Sequence, residues 1–245
     1  MPTWSPVTLG GVSVTPEAVA ENVVPVLDRG SLALDAALAS DLAVVNAARV
    51  SFNQESEELS ERDIGLIGFL TRNRHGSPFE HGYFRFLVKA PLFVVREHQR
   101  HRAGHAYNEW SGRYSKLEPE FYVPDNVRTQ VGKPGAYSFE PVDAATRDRA
   151  RHEIEANGLR AFEAYERLLE QGVAKEVARA VLPLSTYTKY FWSCNPRSLM
   201  HFCSLRNSDA AQYEIREYAA AAESFLERLM PVTHAAFVEN GRIAP

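Results

Sequence analysis

Arg96-Glu97-His98-Gln99-Arg100-His101-Arg102-Ala103-Gly104-His105-Ala106-Tyr107-Asn108-Glu109-Trp110-Ser111-Gly112-Arg113-Tyr114 is the stretch from which the rest of the chain can be read. It places four arginines and three histidines within nineteen residues of a protein whose formal net charge is -4. His75, Glu80 and His81 lie just upstream, so five of the eight histidines fall between residues 75 and 105. A guanidinium is planar, permanently charged and presents fixed donors that match a phosphate bidentately. The Ser111-Gly112-Arg113 turn adds a hydroxyl and a backbone N–H that can approach a phosphate closely. These residue types describe a pocket for one or more phosphate esters. A charge-rich helix is ordinarily a solvated face, but this one follows the apolar run Pro91-Leu92-Phe93-Val94-Val95, which anchors its near end in a core.

Outward from this stretch, Tyr83–Val88 is aromatic and β-branched enough for a strand. Pro91 suits the first turn of a helix running through about Arg102. Gly104 and Gly112 then bracket a loop over Ala103–Tyr114. On the N-terminal side, a short helix is expected over Asp41–Val50. An amphipathic one follows over Ser60–Asn73 with Ile64, Leu66, Ile67 and Leu70 inward, broken by His75-Gly76-Ser77-Pro78. Residues 1–30, with four prolines and no sustained period, read as an extended lead-in holding one short strand at most. On the C-terminal side, Glu118–Val142 is loop-rich, and a long helix over Ala144–Gln171 ends at the cap Gly172. A short helix over Ala174–Val181 stops at Pro183. Thr186–Ser193 is again β-prone, Pro196 opens a helix to about Arg206, and Ala210–Met230 forms the last long one. With no internal repeat, a single α+β domain, rich in helix around a mixed β-sheet, is the economical reading.

The bulk properties narrow the class of function. With 245 residues, 45% hydrophobic and 24% charged, the chain can bury roughly 70–75% of its unfolded surface without a disulfide or metal. Mild acidity argues against a dedicated nucleic-acid binder. Only Cys194 and Cys203 occur, both in apolar, aromatic surroundings that suit core packing better than nucleophilic chemistry. There is no apolar run long enough to span a membrane and no signal-peptide pattern near the start, so a cytoplasmic location is expected. No GxGxxG follows a strand and no Walker loop occurs, so any dinucleotide is held outside a Rossmann framework.

His98, His101 and His105, at i, i+3 and i+7, would share one face of a continuing helix, as three zinc ligands can. Against metal, Gly104 ends the helix before His105, no HExxH or cysteine cluster occurs, and four nearby arginines repel a dication. No metal is therefore expected. An RNA-binding module using the arginines and a metal-dependent phosphohydrolase remain the rival classes.

Arg100-His101-Arg102, then Asn108-Glu109-Trp110-Ser111-Gly112-Arg113-Tyr114-Ser115, resembles the signature of flavin-dependent thymidylate synthases, an RHR triplet followed after a short spacer by NExSxRY. Further segments are similar to that family in order and spacing: Ala47-Ala48-Arg49-Val50-Ser51-Phe52, His75-Gly76-Ser77-Pro78-Phe79-Glu80-His81, Val88-Lys89-Ala90-Pro91, Glu176-Val177-Ala178-Arg179, Val181-Leu182-Pro183-Leu184, Asn195-Pro196-Arg197-Ser198-Leu199-Met200 and Leu205-Arg206. Together they span roughly residues 40–230. Three departures stand out: the spacer before Ser111 holds one residue more than the pattern, Glu97 stands where glutamine is common, and His201 replaces an asparagine.

The resemblance implies that residues 31–245 form a catalytic domain of that family's non-Rossmann fold. It implies FAD contacts by Ser77, Arg100, His101, Arg102, Glu109, Asn195, Pro196, Arg197 and His201. The substrate dUMP would be held by Glu97, His98, Gln99, Arg100, Glu109 and Trp110, with its phosphate in a cradle of Ser111, Gly112, Arg113 and Arg179. Arg206 would lie against the uracil ring as the catalytic group. The implied reaction converts dUMP to dTMP with 5,10-methylenetetrahydrofolate as carbon donor and NADPH re-reducing the flavin, in a homotetramer whose sites draw on several subunits.

Overall fold

The computed structural model describes residues 22–133 and 136–245; most of the expected lead-in lies outside the described residues. Among these described residues, seven strands and eight α-helices follow in the order β1 (Val23–Val26), β2 (Gly30–Leu38), α1 (Asp41–Arg49), α2 (Glu61–Arg72), β3 (Tyr83–Pro91), α3 (Leu92–His98), β4 (His105–Glu109), β5 (Arg128–Lys133), β6 (Ala136–Pro141), α4 (Ala144–Glu170), α5 (Lys175–Ala178), β7 (Tyr187–Cys194), α6 (Pro196–Arg206), α7 (Tyr213–Leu229) and α8 (Pro231–Glu239). Five strands form one sheet in the order β1-β2-β3-β7-β4. The α+β class is as expected, but every pair in this sheet is antiparallel, where a mixed sheet was expected. Strand β1 lies within the expected lead-in and β2 begins at Gly30, so the outer hairpin reaches back across the expected boundary at residue 31.

Alternation along the central strands sets the layers. Phe84, Phe86, Val88 and Ala90 of β3 are buried, as are Thr188, Tyr190, Trp192 and Cys194 of β7, while the residues between them are half-buried. One face of the sheet is thus a dry layer under the helices, as a period of two requires. Phe86 meets Trp192 at 4.9 Å between ring centroids and Phe225 of α7 at 5.7 Å. A smaller satellite core of Phe121, Phe162, Tyr165 and Ala178 holds α4 and α5.

Helix α2 starts where its sequence demands. The Ser60 hydroxyl accepts from the Asp63 N–H while the Asp63 carboxylate accepts from the Ser60 N–H, a reciprocal capping box. That carboxylate is buried and paired with Arg49, and with Ile67, Leu70 and Thr71 it forms the inner stripe. Ile64, expected inward, is 48% exposed at the rim of a groove against α8, because Asp63 occupies the inner position one residue before it.

Three expectations around the arginine-rich stretch change. The helix after Pro91 ends at His98, four residues short of Arg102. The Tyr107 hydroxyl lies 3.0 and 2.9 Å from the His98 and His101 carbonyls, its one proton shared between two acceptors just past the helix end. Gly104, with φ of 72°, then turns the chain back, and 105–109, expected as loop, becomes the edge strand β4 on β7. Farther on, the loop-rich segment 118–142 contains the separate hairpin β5-β6. A further helix, α8, follows Met230, the expected end of the last helix, and is opened by Pro231 in its first turn.

Candidate active site

Asn195 caps α6 by accepting from the Ser198 N–H at 2.8 Å, and Pro196 fills the first helical position, where its missing N–H costs nothing. This cap aims three residues of α6 at the arginine-rich stretch. Arg197 and His201 reach a cavity at its start, and Arg206 reaches α3 from its last turn.

Arg206 is held on three sides. Its Nε–H donates to His101 Nε2 at 3.0 Å, one Nη to the Glu97 carboxylate at 3.0 Å, and the other Nη to the Glu97 carbonyl at 3.3 Å. Because a guanidinium only donates, His101 accepts as a neutral imidazole. Burial, then the Arg206 charge and the neighbouring His105 and His201, lower the His101 pKa to about 4. His105 lies nearly parallel to Trp192 and accepts from the indole N–H at 2.9 Å; burial and His201 lower it to about 4 as well. Burial raises the Glu97 carboxyl, with the Arg206 charge opposing it. The His101 ring lies 5.8 Å from His105 and 6.2 Å from His201, so a line of imidazoles runs beside Arg206.

A cavity reaches this cluster at His201, and a second cavity shares Arg74 with the first. One of about 550 Å³ is lined by Arg74, Glu80, Gly104, Asn195, Arg197 and His201, among others. A larger one of about 1040 Å³ is lined by Ser51, Phe69, Arg74, His75, Gly76 and Ser77, among others. Close approaches shape their walls. A Cβ on Gly104 would lie 2.2 Å from Ser198 Oγ, and one on Gly76 would lie 2.4 Å from Arg197 Nε. Arg197 is pinned across Gly76 by the Glu80 carboxylate at 2.5 Å and the Pro245 carbonyl at 2.7 Å.

A second cluster sits at the far end of β4. Glu109 accepts from the buried Thr188 hydroxyl at 2.8 Å and lines a cavity of about 430 Å³ with Trp110 and Lys189. Trp110 donates its indole N–H to Ser115, and the Lys189 ammonium lies 5.6 Å from the Trp110 ring centre. The Ser111 hydroxyl accepts from both the backbone N–H and the Nε–H of Arg113 at 3.3 Å, and Gly112 packs on Leu117. Lys175 donates to the Tyr114 carbonyl at 3.1 Å, which brings α5, and with it the exposed Arg179, to this end.

The structure therefore gathers Glu97, His101, His201 and Arg206 in one cluster, with Ser77, Asn195 and Arg197 on the adjoining cavity walls. Glu109, Trp110, Ser111, Gly112 and Arg113 form another at the far end of β4, a strand that spans some 13 Å from His105 to Glu109 at about 3.3 Å per residue. Arg100, Arg102 and Gln99 are exposed, with no side-chain hydrogen bond or ion pair among the described residues. His98, expected against the nucleotide, is buried instead in the aromatic core. It is stacked on Phe202 at 4.6 Å and shares a 2.7 Å hydrogen bond with the Tyr190 hydroxyl. The three histidines do not share a helical face, because the helix has ended before His101. The sequence reading passed over Arg74 and Trp192: Arg74 was legible as a cation directly before His75-Gly76-Ser77, whereas the indole bond to His105 had no local signal.

The profile of the family described as thymidylate synthase complementing protein matches residues 34–232. A flavin-dependent thymidylate synthase of Tropheryma whipplei is 48% identical over 220 residues, covering 84% of this chain and 91% of the relative. One of Streptomyces avermitilis is 46% identical over 221 residues, covering 84% and 90%. Among solved structures, a UMP/dUMP methylase, PolB, from Streptomyces cacaoi bound with 5-Br dUMP superposes with a TM-score of 0.82 at 42% identity, covering 91% of this chain and all of that one.

Proposed function

The chain belongs to the thymidylate synthase complementing protein family, whose relatives are flavin-dependent thymidylate synthases, and on that premise we propose that it methylates dUMP to dTMP. FAD serves as cofactor, 5,10-methylenetetrahydrofolate as carbon donor and NADPH as reductant. The observation that carries the reading is that His201, on the wall of the smaller cavity, lies one imidazole away from the clamped Arg206. A cofactor cavity and a guanidinium suited to a pyrimidine are thereby neighbours.

The residues present fit a flavin dinucleotide. The two adjoining cavities lie in the size range of cofactor clefts, about 300–1,000 Å³ each. Arginines 74 and 197 line the smaller cavity as cations, and Gly76 and Gly104 let Arg197 and Ser198 pack directly against the backbone of the cavity walls. When bound, the reduced flavin supplies hydride, and the folate supplies the one-carbon unit.

The protein's part is orientation and electrostatics. Arg206, fixed before substrate arrives, stabilises negative charge developing on the uracil ring, a contribution often worth about 3–4 kcal/mol. Ser111, Gly112 and Arg113, with Arg179, hold the nucleotide phosphate. Neither cysteine takes part: both thiols are fully buried and burial raises their pKa values, the opposite of nucleophile activation. The phosphate cradle and Arg206 lie at opposite ends of β4, which supports a homotetramer in which each site combines the arginine cluster of one subunit with the cradle of another.

The test is direct. Purified protein is yellow, its flavin spectrum bleaches with NADPH, and it forms dTMP from dUMP only when the folate is added; protein that takes up no FAD would abandon the proposal. The likeness to a methylase described as acting on both UMP and dUMP adds one arm, kcat/KM for dUMP against UMP in the same preparation.

A further inference from the structure

Arg74 occupies a position that favours glycine. Helix α2 closes with the His75 N–H donating to the Leu70 carbonyl at 2.9 Å and the Arg74 N–H to the Thr71 carbonyl at 3.2 Å. These are the paired bonds of a Schellman cap, whose central residue must be left-handed. Arg74 accordingly has φ of 56°, a conformation that strains any residue with a Cβ and leaves glycine unstrained. The cap explains the backbone angle and leaves the choice of an arginine to be explained.

A second left-handed arginine gives the comparison. Arg242, with φ of 59° beyond α8, reaches both oxygens of the buried Glu223 carboxylate at 2.5 and 2.6 Å. Its guanidinium has a protein anion to neutralise. The Arg74 side chain is exposed and its guanidinium has no hydrogen-bond or ion-pair partner among the described residues. It is, however, the one residue common to the linings of the two adjoining cavities. The nearby Glu80 carboxylate is already engaged by Arg197. A lone guanidinium at the junction of two cavities, held in a conformation that glycine would adopt without strain, is placed for an anion that the chain itself does not supply.

We propose that Arg74 is a ligand for the diphosphate of a flavin dinucleotide lying across both cavities. The inference rests on the reading above that the chain binds FAD. A phosphate of NADPH or a carboxylate of the folate would offer the same chemistry, and the experiment separates them.

Apoprotein of wild type, Arg74→Gly and Arg74→Lys is titrated with FAD and with riboflavin, which lacks the diphosphate, in the absence of folate and NADPH. Flavin fluorescence reads binding and a thermal melt of each apoprotein reads the fold. Arg74→Gly is expected to melt no lower than wild type, since glycine relieves the strain. It should nonetheless bind FAD roughly ten- to hundredfold more weakly, the loss of one charge-assisted contact. Riboflavin binding should not distinguish the two proteins, and Arg74→Lys should recover part of the FAD affinity. Steady-state KM values for NADPH and folate are then measured on the FAD-loaded proteins: equal FAD affinity in wild type and Arg74→Gly overturns the proposal, as does a defect confined to either KM. Wild type that takes up no FAD sinks the flavin reading as well, so the two failures are told apart.

Discussion

The Nε–H of Arg206 donates to Nε2 of His101 across 3.0 Å, although 105 positions separate them in the chain. The bond leaves the His101 proton on Nδ1. With the Glu97 carboxylate on the other side, it fixes the guanidinium plane before any ligand binds, and such preorganisation is what makes a charge effective at a developing anion.

Removing that guanidinium should separate chemistry from folding. Arg206→Ala is expected to fold and to retain flavin while dTMP formation falls by about two to three orders of magnitude. Arg206→Lys should recover little, because one ammonium cannot reproduce three directed contacts. Single-turnover dTMP formation on the flavin-loaded variants checks this, and near-normal turnover removes Arg206 from the mechanism.

The imidazoles make stability depend on pH in a stated direction. Burial holds His101 and His105 at about 4, below the ordinary 6.5, and holds His98 well below 6.5 too. As pH falls from about 6.5, the unfolded chain takes up protons first. The contribution is therefore complete above 6.5 and is lost as pH falls toward 4. Urea midpoints should rise between pH 4 and 6.5 and level off above, with a shallower slope in His105→Gln. A flat profile across that window argues against neutral buried imidazoles.

Arg113 is exposed, bonded only to Ser111 and lying 4.9 Å from the Tyr114 ring centre. Its loss should change stability by no more than about 0.5 kcal/mol. Arg113→Ala should instead weaken dUMP roughly ten- to hundredfold, as expected for one charged phosphate contact. Calorimetric titration with dUMP measures it, and unchanged affinity counts against the phosphate cradle.

Cys194 and Cys203 should be silent. Both are buried in the core, so a thiol reagent should label them only after unfolding, and each Cys→Ser variant should keep its activity. A flavin-loaded, folded and inactive serine variant would revive a covalent route.

The chain's local chemistry was enough for α6, whose cap Asn195, opening Pro196 and last residue Arg206 are all legible within a few positions. The same holds for α2 with its Ser60–Asp63 box, for β7 with its alternating buried face, and for the family-specific arginines. Period, cap and turn residues act over one or two turns of chain, so a reader of the sequence has everything they depend on. Other features answer to partners far along the chain. Strand β4 looks like a glycine-bracketed loop until β7, some ninety residues on, supplies its ladder, and the end of α3 at His98 meets Tyr107 only once β4 has folded back. The histidines diverge for the same reason: His98 enters the aromatic core while His101 turns to Arg206. Which face of an element meets which neighbour is settled by burial and hydrogen bonding summed over the whole molecule, and only the folded chain brings those terms together.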